Sequence, residues 1–216
     1  MYRQSIVILG NGYIGNSLFN YLNPTKQSDT SIVVIDKKTL NYTDSNTLRT
    51  YLEGIKSNSS NPIVINCCGF TGKPNVDACE KQENKQACWD LNAMLPARIG
   101  AICKDLDIFF IHISSGCIYN GYDKMYTEED EPNFGMMSNI SSFYSKTKHA
   151  GEIYLKSIDY GKVLRIRMPF CSNLDSSRNL INKIIKYTRL ISVENSLTCI
   201  DDLNVFIKNY ITHHLT

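Results

Sequence analysis

Short, continuously apolar runs alternate along this chain with longer segments whose apolar residues recur at helical spacing. The runs Ser5–Leu9, Ser31–Asp36, Pro62–Cys67, Ile108–Ser114 and Lys162–Arg167 predict buried strands. Helices are predicted over Tyr13–Leu22, Ser45–Lys56, Asn75–Lys104, Ser142–Ile158, Asn179–Arg189 and Leu203–Tyr210. Asn23-Pro24 stops the first helix, and Pro96 is expected to kink or split the third. The Asn/Ser cluster at Asn58–Asn61 reads as a loop. Gly116–Ser141, acidic at Glu128–Glu131 and carrying Pro132 and Gly135, reads as a long loop of the kind that often serves function. The strands do not alternate polar with apolar, so both sheet faces are covered. With helices between them, they predict a doubly wound parallel α/β sheet.

Composition removes several functions. The 216 residues are 43% hydrophobic, enough for one sizeable core, and the net charge is +2. Neither nucleic acid nor a membrane surface is an expected partner. Ile6–Leu9 is too short for a secretory signal, and no stretch approaches the roughly 20 apolar residues of a membrane span. The 8 cysteines form no CxxC pair and sit mostly in apolar runs, which points to reduced thiols in a cytosol-like compartment and a cytoplasmic location. Cys67-Cys68 and the histidines His112, His149, His213 and His214 lack ligand spacing, so no metal site is expected.

Gly10-Asn11-Gly12-Tyr13-Ile14-Gly15 is G-x-G-x-x-G between a predicted strand and a predicted helix. Such a turn lets backbone approach a pyrophosphate, which the helix N-terminus attracts. Asp36 ends the next strand at the distance the dinucleotide fingerprint requires. Its carboxylate suits an adenosine ribose and so NAD(H), whereas Lys37 and Lys38 suit a 2′-phosphate and so NADP(H). The residues leave both open.

Tyr144 and Lys148 are four apart in a predicted helix and share a face. An unperturbed phenol has a pKa of about 10. A neighbouring ammonium is therefore expected to lower it and make Tyr144 a proton donor to a developing alkoxide, with Lys148 also reaching the cofactor ribose. Ser114 and Ser115 end a strand at the carboxyl edge, where open α/β sheets bind ligands, and offer a second donor.

The order G-x-G-x-x-G, Ser, Tyr-x-x-x-Lys resembles the extended short-chain dehydrogenase/reductase family. Asn66–Glu80, Ser115-Gly-Cys-Ile-Tyr119, Glu128–Phe134, Ser142–Lys148 and Leu164-Arg-Ile-Arg-Met-Pro169 narrow this. Together they resemble the bifunctional 3,5-epimerase/4-reductases of UDP-rhamnose synthesis, in plant-type and giant-virus forms. The resemblance implies that a UDP-4-keto-6-deoxyhexose is epimerised at C3 and C5 and then reduced at C4 by NADPH. It places the reductase triad on Ser115, Tyr144 and Lys148, with serine where plant-type members have threonine. Cys117 by spacing alone is a small buried residue at a strand end; the resemblance makes it the epimerase base. Lys183 by periodicity is a solvent-facing lysine; the resemblance makes it the acid partner, sharing a face with Asn179. Further implied cofactor contacts are Cys67, Cys68, Gly69 and Met168. The implied substrate-side residues are Thr71, Gly72, Lys73, Asn75, Asn92, Tyr119, Phe170 and Asn179. A homodimer is implied as well.

The pattern is departed from twice. The first two glycines are one residue closer than is usual in extended members. The chain ends at Thr216, before relatives complete their C-terminal lobe. The expected organisation is a Rossmann-type NADP(H)-binding domain with the catalytic residues over 1–168 and the start of a small, truncated substrate lobe over 169–216. Alternatives are the same chemistry on a 2-acetamido or dTDP/GDP-linked 4-keto sugar, and a non-catalytic dinucleotide-binding subunit or scaffold.

Overall fold

The computed structural model describes residues 2–122, 124–190 and 192–214; Asp123, inside the expected long loop, lies outside them. Five strands, β1 (Tyr2–Leu9), β2 (Thr30–Ile35), β3 (Ser59–Asn66), β4 (Phe109–Ser115) and β5 (Lys162–Ile166), form one sheet. Its order is β2-β1-β3-β4-β5 and every pair is parallel. The helices are α1 (Tyr13–Leu22), α2 (Ser45–Asn58), α3 (Gln82–Trp89), α4 (Leu95–Asp105), α5 (Phe143–Ile158), α6 (Leu180–Ile184) and α7 (Ile200–His214).

Strand periodicity divides each apolar run between two cores. Val7 and Leu9 of β1 pack with Leu48 and Leu52 of α2, Leu95 and Ile99 of α4 and Leu155 of α5. Ile6 and Ile8 pack on the other face with Leu18 and Leu22 of α1 and Leu203, Ile207 and Ile211 of α7. Each such side chain contributes about 1.5–3 kcal/mol when taken from water, so a polar residue at either parity would weaken a filled core. This is the physical content of runs that do not alternate, and it makes the fold the doubly wound Rossmann-like sandwich.

Three expectations about elements change. No loop separates α2 from β3: the helix ends at Asn58, whose amide bonds back to Gly54 O at 2.8 Å, and Ser59 already pairs with Tyr2 of β1. Strand pairing outweighs the turn preference of Asn and Ser, which is a weak local term. The 75–104 region is a 3₁₀ turn at Val76–Glu80, then α3, a π turn at Asp90–Met94, and α4. Pro96 stands in the first turn of α4 and does not itself kink the helix. The irregularity precedes it, where Leu95 N bonds Asp90 O across a widened turn. The helix expected to reach Arg189 stops at Ile184. Beyond it Ile185, Tyr187 and Leu190 are 72%, 60% and 61% exposed, so their helical periodicity meets no core.

β2 lies on one side of β1 and β3 on the other, so the winding reverses between β1 and β3. Ligands bind at the carboxyl ends of strands flanking such a reversal. The phosphate turn follows β1, Cys67–Gly69 follows β3, and Ser115 ends β4.

Candidate active site

Gly10 continues the sheet, its N–H donating to Ile35 O at 2.8 Å, and then turns at φ +99°. Any side chain there would press on Cys68 of the β3 end. Gly15 is tighter still, because a Cβ would fall 1.9 Å from Gly10 O. These contacts bring α1 against the turn. The helix starts at Gly12 with no side-chain cap and no acidic residue in its first turn. Its first N–H groups therefore face the strand ends without an internal anion, a fitting cradle for a dinucleotide pyrophosphate. The Tyr13 hydroxyl meets Cys171 Sγ at 3.2 Å, and burial pushes its pKa up.

Asp36 does not point freely outward. Oδ1 accepts from Lys38 N at 2.8 Å, Thr39 N at 2.7 Å and Thr39 Oγ1 at 2.9 Å, and Oδ2 accepts from Asn11 Nδ2 at 3.1 Å. The Thr39 bonds hold its carboxyl below the usual range. Lys37 and Lys38 are exposed beside it.

α5 starts at Ser142, whose Oγ caps Ser145 N at 3.1 Å. Ser145 Oγ donates to Cys117 O at 2.7 Å, which joins the start of α5 to the turn after β4. Tyr144 is buried in a cluster with Cys79 and Cys88, against which Phe70, Phe143 and Cys117 pack. Its phenol is raised, first by burial and next by Cys117, while the Ser115 hydroxyl, within hydrogen-bonding reach, opposes the rise. The expectation of a phenol lowered by Lys148 is thus corrected: burial dominates, and Tyr144 stays a protonated donor at neutral pH. Lys148 Nζ donates to Ile113 O of β4 at 3.3 Å and lies beside Gly69. Burial lowers its ammonium to about 8, opposed chiefly by Glu152.

Ser115, Tyr144, Lys148 and Cys117 therefore come together at the β4 end, beside Gly69 and the paired thiols. Burial pushes the Cys67 and Cys68 thiols up, Cys68 to about 11, and Cys68 approaches Gly10. Ser115 Oγ also accepts from Cys117 N at 3.2 Å and so caps the 3₁₀ turn at Gly116–Ile118. Met168, at φ 42° and 38% exposed, turns the chain after β5.

Other expected residues have structural duties. Asn92 is fully buried; Oδ1 accepts from Phe70 N at 2.8 Å, and Nδ2 donates to Phe70 O at 2.9 Å and Thr147 Oγ1 at 3.2 Å. It clamps the 69–72 segment to α5, so its amide is directed at backbone and not at a ligand. Tyr119 OH donates to Asp130 O at 2.8 Å and anchors the long loop. Asn75 caps the 3₁₀ turn through Asp77 N at 3.1 Å. Phe170 joins Cys199 by backbone, Phe170 N to Thr198 O at 3.0 Å. Asn179 is also fully buried: Oδ1 caps α6, and Nδ2 donates to Cys171 O and Asn173 O, both at 2.9 Å. It does not share an open face with Lys183. Lys183 is half-buried on α6, a helix tied to the phosphate turn through Cys171 and Tyr13. Among the described residues no hydrogen bond joins it to Cys117 or Tyr144.

Two residues escaped the sequence reading. Arg178 reaches Thr71 Oγ1 and donates to Gly72 O at 3.2 Å, joining the segment before α6 to the expected substrate side; Lys73 follows, exposed. No spacing rule marks an arginine 107 residues from its partner. Glu152 is buried one turn beyond Lys148, and its i, i+4, i+8 relation to Tyr144 was a visible signal.

The RmlD substrate binding domain model matches residues 4–203. The chain is 36% identical over 148 residues to a trifunctional UDP-glucose 4,6-dehydratase/UDP-4-keto-6-deoxy-D-glucose 3,5-epimerase/UDP-4-keto-L-rhamnose-reductase of Arabidopsis thaliana, covering 65% of this chain and 21% of the plant protein. It thus spans about a fifth of that relative. The UDP-rhamnose synthase of Acanthamoeba polyphaga mimivirus superposes with a TM-score of 0.79 at 23% identity, covering 98% of this chain and 72% of that one. A Bacillus anthracis dTDP-4-dehydrorhamnose reductase in complex with NADP gives 0.70 at 24% identity, covering 98% and 71%. At these identities the two structures speak for the fold. With the phosphate turn, the Ser115–Tyr144–Lys148 grouping and a family match over nearly its whole length, the chain belongs to the RmlD substrate binding domain family, within the extended short-chain dehydrogenase/reductases.

Proposed function

We propose that this chain reduces the 4-keto group of a nucleotide-linked 6-deoxyhexose with NADPH, as part of rhamnose-type sugar synthesis. The observation that carries the reading is the convergence of Ser115, Tyr144 and Lys148 at the β4 end beside a phosphate turn. NADPH supplies the hydride. Tyr144, protonated and buried, gives its proton to the developing alkoxide, Ser115 holds the same oxygen, and the Lys148 ammonium stabilises the phenolate left behind. Asp36 is already engaged by Thr39, Lys38 and Asn11, and two exposed lysines follow it. This supports NADPH over NADH.

The finer reading is UDP as the nucleotide and epimerisation before reduction. A 4-keto group acidifies C3 and C5, and Cys117 packs against the Tyr144 cluster where it can act as base. Lys183 as the acid partner rests on the resemblance, since α6 is anchored on the phosphate-turn side. The part of the chain we assign to the substrate is 169–198, which Arg178 ties to Thr71 and Gly72; α7 packs in the sheet core. We further propose a homodimer in the cytoplasm. Among the described residues no helix is long and apolar enough to cross a membrane.

Purified protein given NADPH and UDP-4-keto-6-deoxyglucose should oxidise the cofactor, and in deuterium oxide should incorporate label at C3 and C5. Cys117→Ala should stop the labelling yet keep residual reduction. If no UDP-, dTDP-, GDP-linked or 2-acetamido keto sugar is turned over while NADPH still binds, the chain is a dinucleotide-binding scaffold and the enzyme reading fails.

A further inference from the structure

Glu152 extends the row of Tyr144 and Lys148 by one more turn of α5, and the three are only 6%, 4% and 6% exposed. Lys148 Nζ donates to the carbonyl of Ile113, and Glu152 takes the next residue of the same strand, Ser114 Oγ donating to its Oε1. Its Oε2 accepts from Arg165 Nε at 2.9 Å and from Arg165 NH2 at 2.8 Å. Arg165 NH1 donates to Tyr119 OH at 2.6 Å, and Tyr119 OH donates to Asp130 O. One carboxylate thus ties α5 to β4, to β5 and to the long loop. A carboxylate seldom sits this deep without partners, and removing them leaves a charge that water cannot reach. We propose that Glu152 is a positioning residue of this site, keeping the Lys148 ammonium charged and holding α5 in register with the β4 end that carries Ser115.

The surroundings of Lys148 favour this role. Facing it are Cys67 and Cys68 after β3, Cys88 of α3, Cys117 after β4, His112 of β4, Tyr144 and Glu152. Burial pushes Cys67, Cys68 and Tyr144 up, and burial with Lys148 pushes His112 well down, so these groups are neutral near pH 7. Glu152 is the carboxylate of the set and the largest influence opposing burial of the cation. Arg165, His149 and Tyr119 are the other titratable groups facing Glu152, and Arg165 is the cation competing for its charge.

The test follows the Lys148 charge directly, by an NMR pH titration of protein labelled with carbon-13 at lysine Cε and assigned with Lys148→Met. Glu152→Gln is expected to move the Lys148 midpoint down by about one pH unit or more. The alkaline limb of kcat/KM for keto-sugar reduction, which rests on the reductase reading, should move down with it. Arg165→Gln is expected to move the midpoint up, and it decides the matter if Glu152→Gln does not fold. An unchanged midpoint in a folded Glu152→Gln, or in Arg165→Gln where that variant must decide, overturns the proposal. So does activity lost equally at every pH. A protein that never oxidises NADPH but shows both midpoint shifts overturns the reductase reading and leaves this one standing.

Discussion

The phosphate turn at the end of β1 and the buried face of α5 at the end of β4 stand on either side of the β3 end, yet they are built by opposite means. The turn is made of backbone: Gly10 and Gly15 shape it, and its expected ligand contacts are N–H groups at the start of α1. The α5 face is made of side chains whose protonation matters: Tyr144, Lys148 and Glu152 are buried, burial and Cys117 raise the Tyr144 phenol, and burial lowers the Lys148 ammonium against the opposing influence of Glu152. A shape made of backbone tolerates changes in the residues around it but not a single Cβ in the wrong place. A buried polar network tolerates isosteric volume changes but not a change in charge, because each uncompensated group costs about 1–3 kcal/mol or more.

The largest effect should come from the network. Tyr144→Phe removes one oxygen and keeps the packing, so reduction should fall by about 10²–10⁴-fold while NADPH binding and label uptake at C3 and C5 persist. Equal loss of NADPH affinity would show that the two regions are not separable. Next, Gly15→Ala puts a methyl group against Gly10 O. It should cost about 2 kcal/mol in urea unfolding, with a parallel loss of NADPH affinity measured by fluorescence, because α1 must move off the turn. A folded variant of unchanged stability would show that the turn yields more readily than its geometry implies. The smallest effect belongs to Asp36→Ala, since its carboxylate serves the 37–39 turn: NADPH affinity should change by less than about threefold. A tenfold loss of NADH binding in the same variant would mean that Asp36 leaves the turn to hold the ribose.

Legibility in the sequence followed the same division. All five strands were readable because burial on both faces demands unbroken apolar runs, and the phosphate turn was readable because few residues other than glycine fit it. Tyr144, Lys148, Ser115 and Cys117 were found by spacing and resemblance, and the structure does gather them. What failed depended on distant partners. Asn58–Asn61 looked like a loop until β1 paired with it. Asn179, expected to share an open face with Lys183, is closed by backbone groups that only folding brings near. Residues 185–190 kept helical periodicity, but their apolar side chains remain exposed.

By itself, then, the chain determined the parallel sheet, the glycine turn after β1 and the shared helix face of Tyr144 and Lys148, since each rests on local periodicity or on a backbone shape that one residue type permits. The tertiary structure alone decided that the Tyr144 phenol is raised and not lowered, that Asp36 is engaged within its own turn, and that Lys148 faces a buried Glu152. Those outcomes depend on desolvation and on hydrogen bonds between residues far apart in sequence, quantities that no spacing along the chain encodes.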